Sequence, residues 1–494
     1  MRAAGAIGGT LSEHRLCGET SDQASCSRSN RMNASAAATQ RSISATLHPP
    51  GPRGLPIIGC LLPFLRSPME AMARAARVHG GIARIPIRGK YLYLVSDPEL
   101  VRELLVTHRE KFVKNTRYRH MQALVGQGLL LSEADAWRRQ RLITQQAFRP
   151  DEVAAQIGWM AGLTDRFLDR WEKTAGSSSV IDVEPEFSRL AQLLSGRFLM
   201  GEAFDEVAAR FCEASCAIKQ HWPQSPRGLW SMLLSRPMKH LVQFDAAVAD
   251  LDACIYRFLT KQRKSDFERC GLLERLVRTS RAEHNEFTDR ELRDQLFTLF
   301  FAGHETSATG LCWIHYLLWR HAAVREQLQR EVDRVVGSRM PAADDLPNLQ
   351  YTEQVVQESL RLYSPIHSIS RVALMDSIVG GYHIPAGATV CVSMYATHRL
   401  PKYWPDPERF DPLRFTPEQC AARPRFAYIP FAAGHRNCIG SGQALAELKL
   451  VVARIAQRYR LDLAANQRIE PAPGTTMYPR YGMRMTLRHR PALP

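Results

Sequence analysis

The sequence has no long apolar run near its start, where a membrane anchor or a secretory signal would lie. Residues 1–47 are rich in Ser, Ala, Arg and Thr, and no apolar stretch in them approaches the roughly 20 residues that cross a bilayer. They also lack the compact apolar core of a signal peptide. We therefore expect a disordered extension over residues 1–47, without a transmembrane anchor, ahead of a folded domain over residues 48–494.

The same segment leaves two alternatives open. Its five arginines would suit a mitochondrial presequence, but Glu13, Glu19 and Asp22 break the acid-poor pattern of such segments. Met32 offers a second start position, and the sequence does not decide between it and Met1. The cytoplasm is the expected compartment, with the mitochondrion as the alternative.

Cysteine pairs with the spacing of a metal site are missing as well. The eleven cysteines are odd in number and scattered, without a Cys-x-x-Cys pair. In a chain of this length the pattern indicates reduced thiols in a reducing compartment, not a disulfide framework.

Basic charge is abundant, but not in the form that binds nucleic acid. The formal net charge is +16, yet no Lys/Arg block is interleaved with aromatic residues, so we do not expect a nucleic-acid partner. A basic surface suits an acidic protein partner or is simply well solvated. No internal repeat or interior linker divides residues 48–494, and we expect one domain and a monomer.

Cys438 differs from the other cysteines in the residues that surround it in the sequence. Cys438 follows Phe431, Gly434 and Arg436 in a short loop, precedes Gly440, and runs directly into an apolar helical pattern. A thiol at a helix N-terminus is stabilised as the thiolate. The glycines let backbone approach a flat partner, Phe431 can lie against that partner, and Arg436 can neutralise a carboxylate on its rim. These features together describe a haem whose iron takes a thiolate ligand.

The string Phe-x-x-Gly-x-Arg-x-Cys-x-Gly resembles the haem-binding signature of the cytochrome P450 superfamily. The resemblance implies heme b (iron protoporphyrin IX), with Cys438 as the ligand of the iron. It also implies a mainly α fold with a small β part, in which the haem lies between a long oxygen-side helix and the helix after the cysteine loop.

The local patterns agree with such a fold. Residues 82–87 and 91–95 are typical of two strands around the turn at Gly89-Lys90, and a helical pattern follows from Leu100. Beyond residue 130 the patterns are mostly helical, with short β-like pieces near residues 377–384, 389–393 and 483–487. Thr288 and Glu291 form a capping box, which predicts a helix running to about Trp319.

That helix carries the second motif, Ala302-Gly303-His304-Glu305-Thr306. Gly303 and Thr306 are poor helix formers, and such residues commonly mark a local opening of the hydrogen-bond ladder. The motif is similar to the Ala/Gly-Gly-x-Asp/Glu-Thr of the superfamily. The resemblance implies space for dioxygen at Ala302 and Gly303, and proton delivery by Glu305 and Thr306.

A third group of residues is structural. Glu358 and Arg361 place opposite charges at i and i+3 on one helix face. They match the Glu-x-x-Arg of the superfamily, whose buried charges bind a later arginine. Arg409 and Arg414 are both candidates for that arginine, and we expect Arg414, although Leu413 replaces the common Glu before it.

Further cations suit the haem propionates. Trp137 and Arg141, at i and i+4 on one helix face, resemble the Trp-x-x-x-Arg of the superfamily. Arg371 and Arg436 complete the expected set. Arg138 and Arg139 are interpreted as a solvated basic face that a redox partner could also use.

The resemblance implies a monooxygenase that inserts one oxygen atom from O2 into a lipophilic substrate, such as a fatty acid, terpenoid or steroid. Electrons would come from NAD(P)H indirectly, through a separate ferredoxin or flavodoxin/reductase, because the sequence contains no fused redox module. By analogy, the pocket would be lined by the loop of residues 112–131 and by Phe300, Ile366, Ile369 and Met477.

Two rival functions share the cysteine loop. A haem-thiolate isomerase or peroxygenase needs no electron donor, and Glu305-Thr306 argues against it because such enzymes often lack that pair. A non-catalytic haem sensor would need a signalling module, and none follows the haem loop.

Overall fold

The computed structural model describes residues 47–114, 121–174, 180–220, 239–267, 271–282 and 286–490. The extension expected over residues 1–47 and the choice between Met1 and Met32 therefore lie outside the described residues, except for Leu47. Residues 115–120 of the expected pocket loop lie outside them as well.

The described chain is mainly helical, as predicted, with a small β part. Its α-helices, α1 to α17, are Leu61–Arg66, Pro68–His79, Pro98–Arg102, Gln122–Val125, Ala134–Gln145, Pro150–Ala154, Ile157–Thr174, Val183–Met200, Ala208–Gln220, Lys239–Gln262, Leu272–Ala282, Asp289–Arg320, Ala322–Val335, Gln350–Leu362, Met394–Thr397, Pro417–Ala421 and Ser441–Arg458. Its strands, β1 to β12, are Ile82–Ile87, Lys90–Val95, Phe112–Lys114, Val180–Asp182, Ile369–Ala373, Ser377–Val379, Tyr382–Ile384, Thr389–Val392, Tyr459–Leu463, Pro471–Pro473, Met477–Pro479 and Arg484–His489.

The largest sheet has five strands in the order β1-β2-β8-β5-β3. The β1–β2 hairpin confirms the two strands predicted from the sequence, with its turn at Arg88-Gly89, one residue before the predicted Gly89-Lys90. Its turn places Arg88 and Gly89 at φ +49° and +73°, the two positive values that a tight hairpin with right-handed twist requires. Strand β8 pairs with β2 in parallel and with β5 antiparallel. Strand β3 then pairs with β5 so that Lys114 lies opposite Arg371.

The longest helix, α12, begins at the predicted capping box. The Thr288 hydroxyl accepts a hydrogen bond from the Glu291 N–H, and the Glu291 carboxylate accepts one from the Thr288 N–H. The first half of α12 packs in one apolar cluster, which includes Leu292 and Leu299 and draws on α9, α10 and α11. The second half packs in another, with α7, α8, α14 and α17. Helix α12 thus contributes one half of its length to each of two apolar clusters.

Two further observations bear on the sequence expectations. In the part of the chain that the structure describes, no helix is both long enough and apolar enough to cross a membrane. Eight of the cysteines fall within the described residues, and all eight are free thiols.

Candidate haem-thiolate site

The cysteine loop is fixed by its own backbone. The Cys438 N–H donates to the Phe431 carbonyl at 2.9 Å, and the Asn437 N–H donates to the Gly434 carbonyl at 3.1 Å. Gly434 has φ +76°, and a Cβ there would lie 2.2 Å from the Leu105 carbonyl oxygen. Only glycine permits this close backbone approach. The loop is therefore seated directly on the π-helical turn Glu103–Thr107.

The Cys438 side chain is exposed, yet protein surrounds it. It therefore faces a cleft and not the outer surface. Burial raises the pKa of the Cys438 thiol, while the Gly440 N–H and the nearby Arg141 charge act to lower it. Helix α17 begins at Ser441, so the thiol lies just before a helix N-terminus, where partial positive charge favours the thiolate.

Helix α5 packs against this loop through both predicted residues. The Arg141 guanidinium donates to the Asn437 backbone oxygen at 3.0 Å and to the Asn437 side-chain oxygen at 3.1 Å. The Trp137 ring meets the His435 ring edge-on at 5.3 Å, and the Arg436 guanidinium lies 4.1 Å above the Trp137 ring. The predicted i, i+4 pair thus holds the segment that carries the cysteine.

Cations outnumber acids beside the loop. Arg436 is paired with Glu133, but its buried Nη1 atom has no hydrogen-bond partner. Lys114, opposite Arg371 in the sheet, donates to the Leu130 carbonyl. Burial, with repulsion from Arg436 and Arg371, lowers the pKa of Lys114 to about 7. We call Arg436, Lys114 and Arg371 the cation cluster. A bound group that carries negative charge would be stabilised beside it.

The neighbouring arginines of α5 are not equally available. Arg138 is largely exposed and pairs with Asp135. The Arg139 guanidinium is instead bound to Glu291 at 2.6 Å and lies over the Phe287 ring. Arg139 therefore ties α5 to the start of α12, which corrects its interpretation as part of a solvated basic face.

Helix α12 presents the second motif without a break. The helix is continuous through residues 302–307, so the local opening expected from Gly303 and Thr306 is not present. The Thr306 hydroxyl donates to the Ala302 carbonyl at 2.8 Å, a bond to the preceding turn that leaves the helix intact. Ala302 is exposed in the middle of a largely buried helix. Further along, α12 approaches α17 closely where Gly310 faces Leu448.

Glu305 has different partners from Thr306. It is buried, and burial raises the pKa of its carboxyl group, while the charge of Lys219 and a hydrogen bond from Thr476 act to lower it. Lys219, on α9, is itself ion-paired with Glu184 at the start of α8. Glu305 is therefore a buried acid connected to charged groups of two other helices.

The predicted ionic group forms, with Arg414 as its third member. The Arg361 Nε and Nη2 atoms donate to the two Glu358 oxygens at 2.6 and 2.8 Å, and both side chains are 0% exposed. The Arg414 Nε lies 3.5 Å from Glu358. The Arg409 side chain is exposed, and only its backbone carbonyl joins the group, by accepting a bond from Arg361. Burial raises the pKa of Glu358, and the two arginines oppose that rise.

Comparison with known proteins bears on this geometry. The family profile described as Cytochrome P450 matches residues 49–486. The cyclooctat-9-en-7-ol 5-monooxygenase of Streptomyces melanosporofaciens is 33% identical over 435 residues, which is 86% of this chain and 90% of that protein. The pentalenene oxygenase of Streptomyces avermitilis is 28% identical, over 89% of this chain and 97% of that protein.

This chain belongs to the cytochrome P450 family. It is an oxidoreductase of the monooxygenase type, as predicted. Solved structures agree with the fold. A cyanobacterial cytochrome P450 with bound retinoic acid has a TM-score of 0.79 and 28% identity, covering 90% of this chain and 100% of that one. The haem domain of cytochrome P450DA has a TM-score of 0.78 and 26% identity, covering 90% and 98%.

The residues present fit the haem that a cytochrome P450 binds. Cys438 offers a thiol to a cleft, and the buried Arg436 Nη1 lacks a partner beside a surplus of positive charge. A haem brings two carboxylates to such a cluster. Among the residues described, no three His, Cys, Asp or Glu side chains converge to hold a bare metal ion. A single thiolate from the protein is sufficient for the iron of a haem, because the porphyrin ring supplies the other metal ligands.

Two of the residues that we expected to line the cytochrome P450 pocket do not face open space. Phe300 is 1% exposed and packs edge-on against Phe211 of α9 at 4.5 Å. Residues 300 and 302 lie about 200° apart around a helix. Because Ala302 is on the exposed face of α12, Phe300 is on the opposite face, which packs in the core. Met477 is 0% exposed in β11, whose alternation turns Tyr478 outward instead. Ile366 and Ile369 are partly exposed and remain candidates.

Sequence reasoning missed two residues of this cytochrome P450 site. Lys114 reaches the cation cluster because β3 pairs with β5, and Lys219 reaches Glu305 from α9. No local motif marks either residue. The loop that precedes α5 contacts α12, because Asp294 accepts the Gln127 N–H at 2.8 Å.

Proposed function

We propose that this cytochrome P450 inserts one oxygen atom from O2 into a terpenoid, with electrons supplied by a separate ferredoxin or flavodoxin/reductase. The single observation that carries the proposal is the Cys438 thiol, which faces a cleft beside the cation cluster. The terpenoid class is supported by the relatives, whose names specify a cyclooctat-9-en-7-ol and pentalenene.

Cys438 would hold the haem iron, and the propionates would meet Arg436, Arg371 and Lys114, with Trp137 and Arg141 holding the loop. The haem, when bound, supplies the centre at which dioxygen is activated and the substrate oxidised. The chain supplies position and protons. Arg141 and the backbone bonds of the loop fix the thiol, and the Gly440 N–H favours its anionic form.

Protons would come from two groups on α12. Thr306 holds a hydroxyl hydrogen at Oγ1, directed to the Ala302 carbonyl beside the exposed Ala302 side chain. Glu305 is a buried carboxyl group, and burial raises its pKa and so favours the protonated form. Lys219 interacts with it by charge, and Thr476 by a hydrogen bond. The partly exposed Ile366 and Ile369 would present an apolar wall that excludes water and holds a lipophilic substrate.

The Cys438→His variant is expected to lose the absorption band at about 450 nm that reduced, carbonyl-bound haem-thiolate protein shows. Imidazole is a neutral ligand and does not donate charge as a thiolate does. The matched control is Cys420→His, which makes the same change at an exposed cysteine outside the loop. An unchanged band in Cys438→His would remove this cysteine from the site.

The Thr306→Ala variant is expected to consume reductant while forming at least about tenfold less product, with the missing electrons recovered as hydrogen peroxide. The variant loses the hydroxyl group near Ala302 and one methyl group, a small change in packing, so haem and substrate binding should persist. The measurement is product and peroxide formed per NAD(P)H in a reconstituted redox chain. Thr306→Ser restores the hydroxyl and should restore coupling. Equal coupling in the Ala variant would show that Thr306 has only a packing role.

Substrate class is tested by optical titration of the haem-loaded protein. A cyclic terpene alcohol is expected to shift the absorption of the resting protein and to bind at least about tenfold more tightly than palmitic acid. The reason is that Ile366 and Ile369, the partly exposed pocket candidates, are apolar and offer no charge to a carboxylate. Tighter binding of the fatty acid would replace the terpenoid assignment and leave the monooxygenase assignment standing.

A further inference from the structure

A small cavity lies between the second half of α12 and the elements that pack on it. Its volume is about 20 Å³, which is enough for one atom-sized group, since a single water needs roughly 10–15 Å³. The lining comes from α12, α13, α17 and strand β9, and it includes His315, Arg325, Leu328, Ile455 and Arg460. None of the residues that line this cavity belongs to the haem-thiolate site.

Arg325 is a buried cation without an acidic partner. It is 9% exposed, and among the described residues no carboxylate oxygen lies within 4.0 Å of its guanidinium. Its Nε atom has no hydrogen-bond partner, and its Nη1 atom donates a long bond of 3.4 Å to the Leu318 carbonyl. A buried charge that lacks a partner is costly. The Arg325 guanidinium therefore favours a negative ligand in the cavity that it lines.

The acid nearest in the sheet is shared by two other arginines. The Asp462 carboxylate accepts from the Arg460 Nε and from the Arg488 Nε, each at 2.8 Å. Arg460 and Arg488 lie opposite each other on β9 and β12, so one carboxylate serves both. Burial and the charge of Arg460 lower the pKa of Arg325, and Asp462 and Glu326 oppose that change. Positive charge thus exceeds negative charge beside the cavity.

His315 is the second polar group in the lining. It is buried, its ring stacks on Phe187 with centroids 5.3 Å apart, and its Nε2 atom has no hydrogen-bond partner. Burial lowers the pKa of His315 to about 3, so the ring is neutral. A neutral imidazole can carry its proton on Nε2 and donate it. Two unpartnered nitrogen atoms, from α12 and α13, therefore belong to residues that line one cavity.

We propose that this cavity binds a single small anion, chloride, between Arg325 and His315. The guanidinium Nε–H and the imidazole Nε2–H each donate to the anion, and the guanidinium bond is assisted by charge. Arg460 is exposed and attracts the anion from solvent. The volume admits a monatomic ion and excludes phosphate or an organic carboxylate. This proposal does not depend on the proposed substrate or redox partner.

The bound anion joins the helix that follows Cys438 to its neighbours. The cavity is bounded by α17 as well as by α12, α13 and β9. A ligand that binds only the folded protein stabilises it in proportion to its occupancy. Chloride is therefore expected to stabilise the half of the protein that holds the thiol, without contact with the haem.

The direct test uses bromide as the probe, because bromide can replace chloride and is identified by its anomalous X-ray scattering. Crystals of the full-length, haem-loaded protein soaked in sodium bromide are expected to show an anomalous peak in the cavity. The peak should lie within hydrogen-bond reach of the Arg325 Nε and the His315 Nε2. A cavity without an anomalous peak, filled by water alone, overturns the proposal.

The test in solution is the midpoint of thermal unfolding of the same protein in sodium chloride and in sodium gluconate at equal ionic strength. Gluconate is too large for the cavity. Chloride is expected to raise the midpoint by roughly 1–3 °C, with saturation below about 0.1 M. The Arg325→Met variant should lose this dependence on chloride. The matched control is Arg330→Met, which removes an exposed arginine of the same helix and should keep the dependence.

A second variant keeps the test decisive if Arg325→Met folds poorly. His315→Leu removes one neutral donor and should raise the chloride concentration that gives half of the effect by about fivefold or more. A parent protein that does not respond to chloride overturns the proposal, and so does an equal response in the parent and both variants. A bromide peak without a saturable effect of chloride would indicate an adventitious ion only, and it would overturn the proposal as well.

Discussion

The Arg361→Met variant is expected to unfold at a much lower urea concentration than the parent and to yield far less haem-loaded protein. The substitution removes two charged bonds from Glu358 and leaves that carboxylate in the interior, since Glu358 is 0% exposed. It also frees the carbonyls of His398, Pro407 and Arg409, which Arg361 binds. Breaking a buried ion pair costs about 3–5 kcal/mol, against a total stability of roughly 5–15 kcal/mol for a folded protein.

The measurement is urea unfolding followed by circular dichroism, together with recovery of carbonyl-binding haem. The matched control is Arg409→Met, which removes an exposed guanidinium nearby and should change the unfolding free energy by less than about 0.5 kcal/mol. If Arg361→Met unfolded at the same urea concentration as the control, the buried group would not support the fold.

The Glu447→Gln variant is expected to make the protein more stable than the parent at pH 8 and equally stable at pH 4. Glu447 lies fully buried on α17, where the Ser307 hydroxyl reaches it and its Oε1 atom has no hydrogen-bond partner. Burial raises the pKa of Glu447 from 4.5 to about 7. The folded state therefore binds a proton that the unfolded state has already released between those two pH values.

The sign follows from linkage. The favourable contribution of the protonated carboxyl group is fully present below pH 4.5 and is lost as pH rises through about 7. A shift of that size corresponds to about 3 kcal/mol. The measurement is the difference in unfolding free energy between parent and Glu447→Gln across pH 4 to 8. Glu418→Gln, at an exposed position, should show no such trend. A difference that is flat in pH would contradict the burial of an uncompensated carboxyl group.

Local motifs predicted the parts of the site that depend on neighbours in the sequence. The Cys438 loop, the Thr288 capping box and the β1–β2 hairpin are each determined by residues a few positions apart, and the structure has a loop, a cap and a hairpin at those places. The choice of Arg414 over Arg409 rested on position relative to the cysteine, and Arg414 is the one whose guanidinium lies beside Glu358.

The remaining parts depend on contacts that sequence spacing does not encode. Lys114 reaches the cation cluster through strand register, and Lys219 reaches Glu305 through the packing of α9. Phe300 and Met477 were assigned to the pocket by analogy, but helix rotation and strand alternation turn both side chains into the core. The sequence alone does not show whether an apolar residue near a site lines the pocket or fills the core, because that depends on the direction in which its side chain points.

The division of α12 between two apolar clusters has a consequence for how the protein can change over generations. Its first half belongs with α9, α10 and α11, while its second half belongs with α14 and α17, the helix that follows Cys438. Mutations in the first cluster fall mainly on helices that do not carry Cys438, although Ile439 next to the thiol also packs against that cluster. The first half of α12 can therefore vary with less effect on the loop of the thiol than the second half, which shares its cluster with α17.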